Sequence, residues 1–337
     1  MISGRRSIGV FSGVLVCAVA LVATPAISCS IPVFRYALER WPADLFVADA
    51  QVPSSVGADG RRAINWLEDQ AQPNGGPLNL TVVRAATTEE GTAAEQALVS
   101  LSAPSHGRDP SMLWEGTAEQ AQAALTAGPW RDDLVRRLAS GDSVVWLVLE
   151  GSDPASAKKA ADLLTDELPQ FAEDTPLPRG IGLPGSELMT GIPLEVRFSV
   201  LKVPTDADGE KLLRATLLAG RASTFAADTA IDSDAALVVP VFGRGRAAAV
   251  LPAATLSLDA VAELTGFLCG ACSCQVKQLN PGFDLLLPVD WEMVLFGEGL
   301  AALPPKAAEP ASSSEAELVP IPAGRSRNAR RVQGTTP

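Results

Sequence analysis

The apolar positions of the chain change their period at several points, and each change marks an element. Val144-Val145-Trp146-Leu147-Val148-Leu149 is apolar without interruption, which predicts a central strand covered on both faces. Asp153 and Pro154 follow as an N-cap and a proline at the first helical position, so a helix is expected through about Phe171. Glu195 to Val203 alternates through Val196, Phe198 and Val200 and predicts a strand; Asp206 then caps a helix through Leu218. Two apolar runs, Ala236 to Phe242 and Ala247 to Leu251, flank Gly243-Arg244-Gly245-Arg246 and predict a hairpin. Ser257 caps a final helix whose Leu258, Val261, Leu264 and Leu268 fall on one stripe.

The first half is less regular. A short helix is expected from Arg35 to Trp41, a strand over Leu45 to Ala48, and a helix from about Asp59 to Gln72 with Ile64, Leu67 and Ala71 on one face. Pro73-Asn74-Gly75-Gly76 closes that helix, and Leu78 to Val83 reads as a second strand, making a β-α-β unit. Further helices are expected at about Thr88 to Ser100, Thr117 to Ala127 and Trp130 to Leu138.

Strand, helix, strand, helix, hairpin, helix is the order of the thioredoxin fold, so the expected class is α/β, a mixed sheet flanked by helices. The N-terminal β-α-β unit is like the first half of the same fold, and an internal duplication is the corresponding expectation. Val239-Pro240 stands where thioredoxin-like domains open a strand with a cis-proline, and a cis bond is expected at Pro240; a proline at a bulge is the alternative. The expected division is a signal at 1–28, an α/β domain at 29–139, a thioredoxin-like domain at 140–302 and an unstructured tail at 303–337. That tail turns from Pro, Ala, Ser and Glu to Arg325, Arg327, Arg330 and Arg331, a basic end that either stays solvated or touches an acidic surface.

The signal assignment rests on Arg5 and Arg6, an uncharged apolar stretch from about Ile8 to Ala23, and the small-x-small end Ala26-Ile27-Ser28. It predicts export to the periplasm or cell envelope. No second apolar run of about eighteen residues follows to span a bilayer. Ala26-Ile27-Ser28-Cys29 also resembles a lipobox, although the leucine usual at its first position is absent and structure is expected from Pro32 on, where a lipoprotein carries a polar tether. Cys29 is therefore either acylated, giving a membrane anchor, or a free or disulfide-bonded thiol.

Charge and histidine content narrow the chemistry. Against 39 Asp and Glu stand 27 Lys and Arg; the signal and tail hold three and seven of these, leaving 36 against 20 in the body. So acidic a surface argues against nucleic acid or anionic membrane as a partner. The one histidine, His106, lies in a loop-like run, so a serine triad or a histidine-rich metal site would depend on it alone. No P-loop, dinucleotide turn, HExxH or GxSxG is present, and no cofactor is expected. Asn79-Leu80-Thr81 matches a glycosylation acceptor but falls in an expected strand and is read as chance.

The cysteines carry what chemistry remains. A redox thioredoxin places Cys-x-x-Cys at the start of the helix after its first central strand, where the helix N-terminus stabilises a thiolate. Gly151-Ser152-Asp153-Pro154 occupies that place without a thiol. Cys269, Cys272 and Cys274 instead gather at the end of the last helix, where the dipole raises a thiol pKa. Three readings stay open for Cys29, Cys269, Cys272 and Cys274: structural disulfides in an oxidising compartment, copper or zinc ligands at Cys269, Cys272 and Cys274, or a thiol-disulfide exchange site using Cys29 or that cluster. The arginines of Gly243-Arg244-Gly245-Arg246 are a further candidate, as an anion site on an exposed turn.

With these segments assembled, the chain resembles a family of uncharacterised exported bacterial proteins. The resemblance runs through Cys29-Ser30-Ile31-Pro32-Val33-Phe34-Arg35-Tyr36-Ala37-Leu38-Glu39-Arg40-Trp41, Gly141-Asp142-Ser143-Val144-Val145-Trp146, Phe242-Gly243-Arg244-Gly245-Arg246, Cys272-Ser273-Cys274 and Asn280-Pro281-Gly282. It implies a shared architecture and an interest in the cysteines, and no activity. The expected function is a non-catalytic envelope scaffold for a protein or peptide partner, with thiol-disulfide exchange and soft-metal binding as alternatives.

Overall fold

The structure, a computed structural model, describes residues 30–87, 96–104, 111–126, 128–205, 209–272 and 275–297. In chain order its elements are α1 (Val33–Arg40), β1 (Phe46–Pro53), α2 (Ala58–Gln70), β2 (Leu80–Thr87), β3 (Leu98–Ser102), β4 (Met112–Thr117), α3 (Ala118–Thr126) and α4 (Pro129–Ala139). There follow β5 (Val144–Leu149), α5 (Pro154–Asp174), β6 (Phe198–Val203), α6 (Glu210–Gly220), β7 (Leu237–Phe242), β8 (Arg246–Ala247), β9 (Leu251–Pro252), α7 (Leu258–Cys269), β10 (Phe283–Asp284) and α8 (Trp291–Phe296). Short 3-10 turns join several of them.

Two mixed sheets result, and both are flanked by helices. The first has the order β2-β1-β3-β4, with β1 and β2 parallel and the other neighbours antiparallel. The second has the order β10-β8-β7-β5-β6, with β5 and β6 parallel, β7 antiparallel to β5, and β9 also pairing with β7. Each sheet is built around one plan, a parallel pair bridged by a helix with antiparallel strands on the far side of the first: β3 and β4 in one sheet, β7, β8 and β10 in the other.

The uninterrupted apolar run of β5 is explained by its neighbours. Val144, Trp146 and Val148 share one core with α1, α5 and α7, while Val145, Leu147 and Leu149 share another with α4, α6 and α8. A strand between two cores needs apolar side chains at every position. In the first sheet Phe46, Ala48 and Ala50 face α2 and α3, while Asp49 and Gln51 on the opposite face are exposed. Consequently β1 alternates and β5 does not.

Several expectations are corrected by tertiary pairing. Leu98–Ser102, expected at the end of a helix, is β3; Val99 and Leu101 are buried and Leu98 exposed, a period of two that pairs with β1. The expected division after Ala139 cuts between α4 and β5, whose side chains share one core, and α1 likewise packs on the second sheet. Asp206 lies outside the described residues, and the N-cap of α6 is Gly209, with φ 74°. Among the described residues no peptide bond is cis, so the cis bond expected at Pro240 is also corrected. Pro240 lies opposite Trp146 in β5, and its carbonyl accepts from Ala248 N at 2.9 Å. A residue's N–H and C=O leave a strand on the same side, so the missing donor faces Ala248 to Val250, where pairing between β8 and β9 is interrupted anyway.

A buried carboxylate opens β5. Asp142, 6% exposed, accepts from Ser199 Oγ at 2.6 Å and pairs with Arg197 Nε at 2.6 Å. Burial pushes its pKa above the ordinary 3.8, against the opposing pull of Ser199 and Arg197. The folded state therefore binds this proton more tightly than the unfolded state does, and its contribution to stability falls as pH rises from about 3.8 through the raised value. Urea unfolding of Asp142→Asn against the native chain across that window is expected to give a stability difference that shifts in the variant's favour as pH rises. A pH-independent difference would contradict it.

Candidate functional site

The thiols come first. Cys269 ends α7 with 0% exposure and packs among the α1, α5 and β5 core residues. Burial pushes its thiol up to about 12. It is a free cysteine, so it forms neither the expected cross-link nor an accessible nucleophile. Cys272 is 1% exposed, and its N–H donates to Ile31 O at 2.9 Å. Pro32 and Ala271 form an antiparallel bridge beside it, and Val33 N donates to Gly270 O at 3.0 Å. The end of α7 is thereby stitched to the start of α1. Cys29, Cys274 and His106 lie outside the described residues. Among the described residues no group of three His, Cys, Asp or Glu is placed to hold a metal ion. At the start of α5, Asp153 caps Ala155 N at 3.0 Å, and no thiol is near in sequence.

The arginines of the β7–β8 turn are not exposed, contrary to an open anion site. Arg244, 8% exposed, donates from Nε to Leu38 O at 2.8 Å and from Nη2 to Glu39 O at 3.3 Å, and its Nη1 meets Glu292 Oε1 at 2.6 Å. It thus serves the last carbonyls of α1, where a cation also complements the helix dipole. Arg246, 4% exposed, donates from Nη1 to Asp284 Oδ1 at 3.1 Å and from Nη2 to Asn280 O at 2.9 Å. Lys277 sits beside it. Its three N–H groups meet Asp284, Asp44 at 2.9 Å and Pro42 O at 2.6 Å, which makes it a cross-link between segments with no lone pair to offer a substrate. Asp44 N in turn donates to Asp284 Oδ2 at 2.7 Å.

Two cations and two carboxylates therefore form the floor of a cleft of about 560 Å3. Phe46, Pro104 and Ser111 line it from the first sheet, and Ser223, Leu279 and Phe283 from the second unit. Asn79 closes the seam nearby: its amide donates to Asp44 O and Leu285 O and accepts from Leu287 N. That side chain is 3% exposed, and every polar atom in it is engaged, which removes it as a glycosylation acceptor.

Lys277 and Asp284 were not foreseen as members of a site. The signal was present in Phe283-Asp284-Leu285-Leu286-Leu287, where one carboxylate interrupts an apolar run: a charge buried there must have a partner. What no local pattern identifies is which cation that partner is.

Comparison with known proteins adds no relative: no family model, no curated protein and no solved structure matches the chain. Among the described residues no helix is long and apolar enough to cross a membrane.

Proposed function

We propose that the chain is an exported, non-catalytic scaffold of the cell envelope that binds a protein or peptide through two thioredoxin-like units. The observation that carries this reading is the Cys269 thiol, fully buried and pushed up to about 12, together with a thiol-free helix start at α5. The common strand plan of the two sheets supports the fold assignment and the internal duplication. The acidic body and the apolar stretch after Arg5 and Arg6 support export of a protein that avoids nucleic acid.

The remaining cysteines are structural in this reading. In this reading Cys29, three residues before Pro32 in the sequence, is joined to Cys274, three residues after Ala271. A disulfide there would hold the start of α1 to the end of α7. Acylation of Cys29 is the incompatible alternative, and the mass of the mature N-terminus separates the two.

The test is a thiol assay on native protein from the periplasm. Cys269 is expected to resist alkylation until the chain is unfolded, a peptide map is expected to join Cys29 to Cys274, and catalytic reduction of a disulfide substrate is expected to be absent. Turnover of a dithiol substrate, or stoichiometric copper or zinc on the thiols, would reject the scaffold reading in favour of exchange or metal binding.

A further inference from the structure

A recess at the carboxyl end of β1 brings two cations together in a chain whose body is acidic. Its volume is about 300 Å3, at the lower end of the range of about 300–1,000 Å3 for small-molecule sites. Val52 and Pro53 end β1 on one side of it, Ser54 begins the turn towards α2, and Arg61 and Asn65 stand one helical turn apart on that helix. Arg84 of β2 completes the lining used here. β1 and β2 run parallel, and the crevice outside the carboxyl ends of such strands is where α/β sheets take their ligands.

Among the described residues the charged ones lining the recess are Arg61 and Arg84, and both are exposed. The Arg61 side chain makes no hydrogen bond or ion pair within the described chain, whereas the adjacent Arg62 is paired with Asp59. Arg84 gives one Nη to Glu68 at 3.0 Å and keeps its other N–H donors for solvent. Asn65 adds an exposed amide and Ser54 an exposed hydroxyl. Salt at about 0.1 M screens exposed charges beyond about 10 Å, so an anion in the recess feels the two guanidiniums at contact more than the acidic surface at large.

The surroundings select the anion. Glu68 beside Arg84 repels a second negative charge, so a monoanion is preferred to a phosphate. A guanidinium fork matches a carboxylate through two parallel bonds. Val52 and Pro53, both half-buried, offer apolar surface next to those donors.

We propose that this recess binds a monocarboxylate with a short apolar body, supplied either by a free small acid or by the C-terminus of a polypeptide that ends in an apolar residue. Arg61, Arg84 and Asn65 hold the carboxylate, and Val52 and Pro53 cover the apolar end. The inference goes beyond the scaffold reading and does not depend on it, since that reading stands or falls on the thiols.

Calorimetry and saturation-transfer NMR on the full chain test it, with 3-methylbutanoate as one probe and an acetylated tripeptide ending in leucine, its carboxylate free, as the other. At least one is expected to bind a saturable site with a Kd of about 1 mM or tighter, and the tighter of the two identifies the source. The amide of each probe should bind about tenfold more weakly, and so should the better probe to Arg61→Ala or Arg84→Ala, changes at exposed positions that leave the core untouched. Glu68→Gln should tighten binding by about threefold, because a competing carboxylate is gone. Asp69→Asn, which removes an exposed carboxylate paired with neither arginine, should leave it unchanged. No saturation by either probe up to about 10 mM, amides that bind as well as the acids, acetate or inorganic phosphate that binds as tightly as the better probe, or affinity indifferent to both alanine substitutions each overturns the proposal.

Discussion

Glu39→Ala is expected to lower stability to urea by about 3–5 kcal/mol, a large share of the total for an ordinary domain. Glu39 is 2% exposed and accepts from five donors: Arg35 Nε at 2.9 Å, Arg40 Nη1 at 3.0 Å, Met189 N at 2.9 Å, and Thr190 through both N and Oγ1 at 3.0 Å. Arg35, 1% exposed, reaches onward to Ile192 O at 2.7 Å and Thr190 Oγ1 at 2.9 Å. The pair is what ties α1 to the Pro- and Gly-rich segment between α5 and β6. Burial already pushes the Arg35 pKa down, so removing its counter-ion strands a cation in a site that disfavours charge. Replacing both partners with apolar residues of similar volume should recover much of the loss, because the desolvation cost leaves with the charges. A Glu39→Ala variant as stable as the native chain would show that the pair contributes nothing.

Asp284→Ala is expected to cost a comparable amount, about 3–5 kcal/mol, by a different route. Here one carboxylate serves two cations, Arg246 and Lys277, and also accepts from the backbone of Asp44. Its loss leaves excess positive charge on the cleft floor and cuts the contact between the segment around Pro42 and β10. Chemical denaturation measures the stability. Native stability in this variant would mean that the charge network does not hold the seam.

Local signals in the sequence were strong where one residue or period decides the outcome. Asp153 and Ser257 cap their helices through Ala155 N and Ala260 N as their positions suggest, and the apolar run at Val144 to Leu149 is a strand with both faces covered. They were misleading at Leu98 to Ser102, where two leucines three apart fit a helix until pairing with β1 is known. The cleft was legible only as fragments. Arg246, Lys277 and Asp284 stand far apart from Asp44 in the chain, and each looked like an ordinary turn or run residue on its own.

By itself, then, the sequence determined the α/β alternation of the second sheet, the helix starts at Asp153 and Ser257 and the absence of a thiol at the head of α5, since each depends on neighbours within a few residues. Tertiary structure alone decided that α1 and α4 belong to the second sheet, that Pro240 is trans, that Cys269 is sealed in a core, and that two arginines suggestive of an open anion site are buried cross-links. The physical reason is the same in all four cases. Periodicity says which face of an element avoids water, whereas the choice of what covers that face is made by groups brought together from distant parts of the chain.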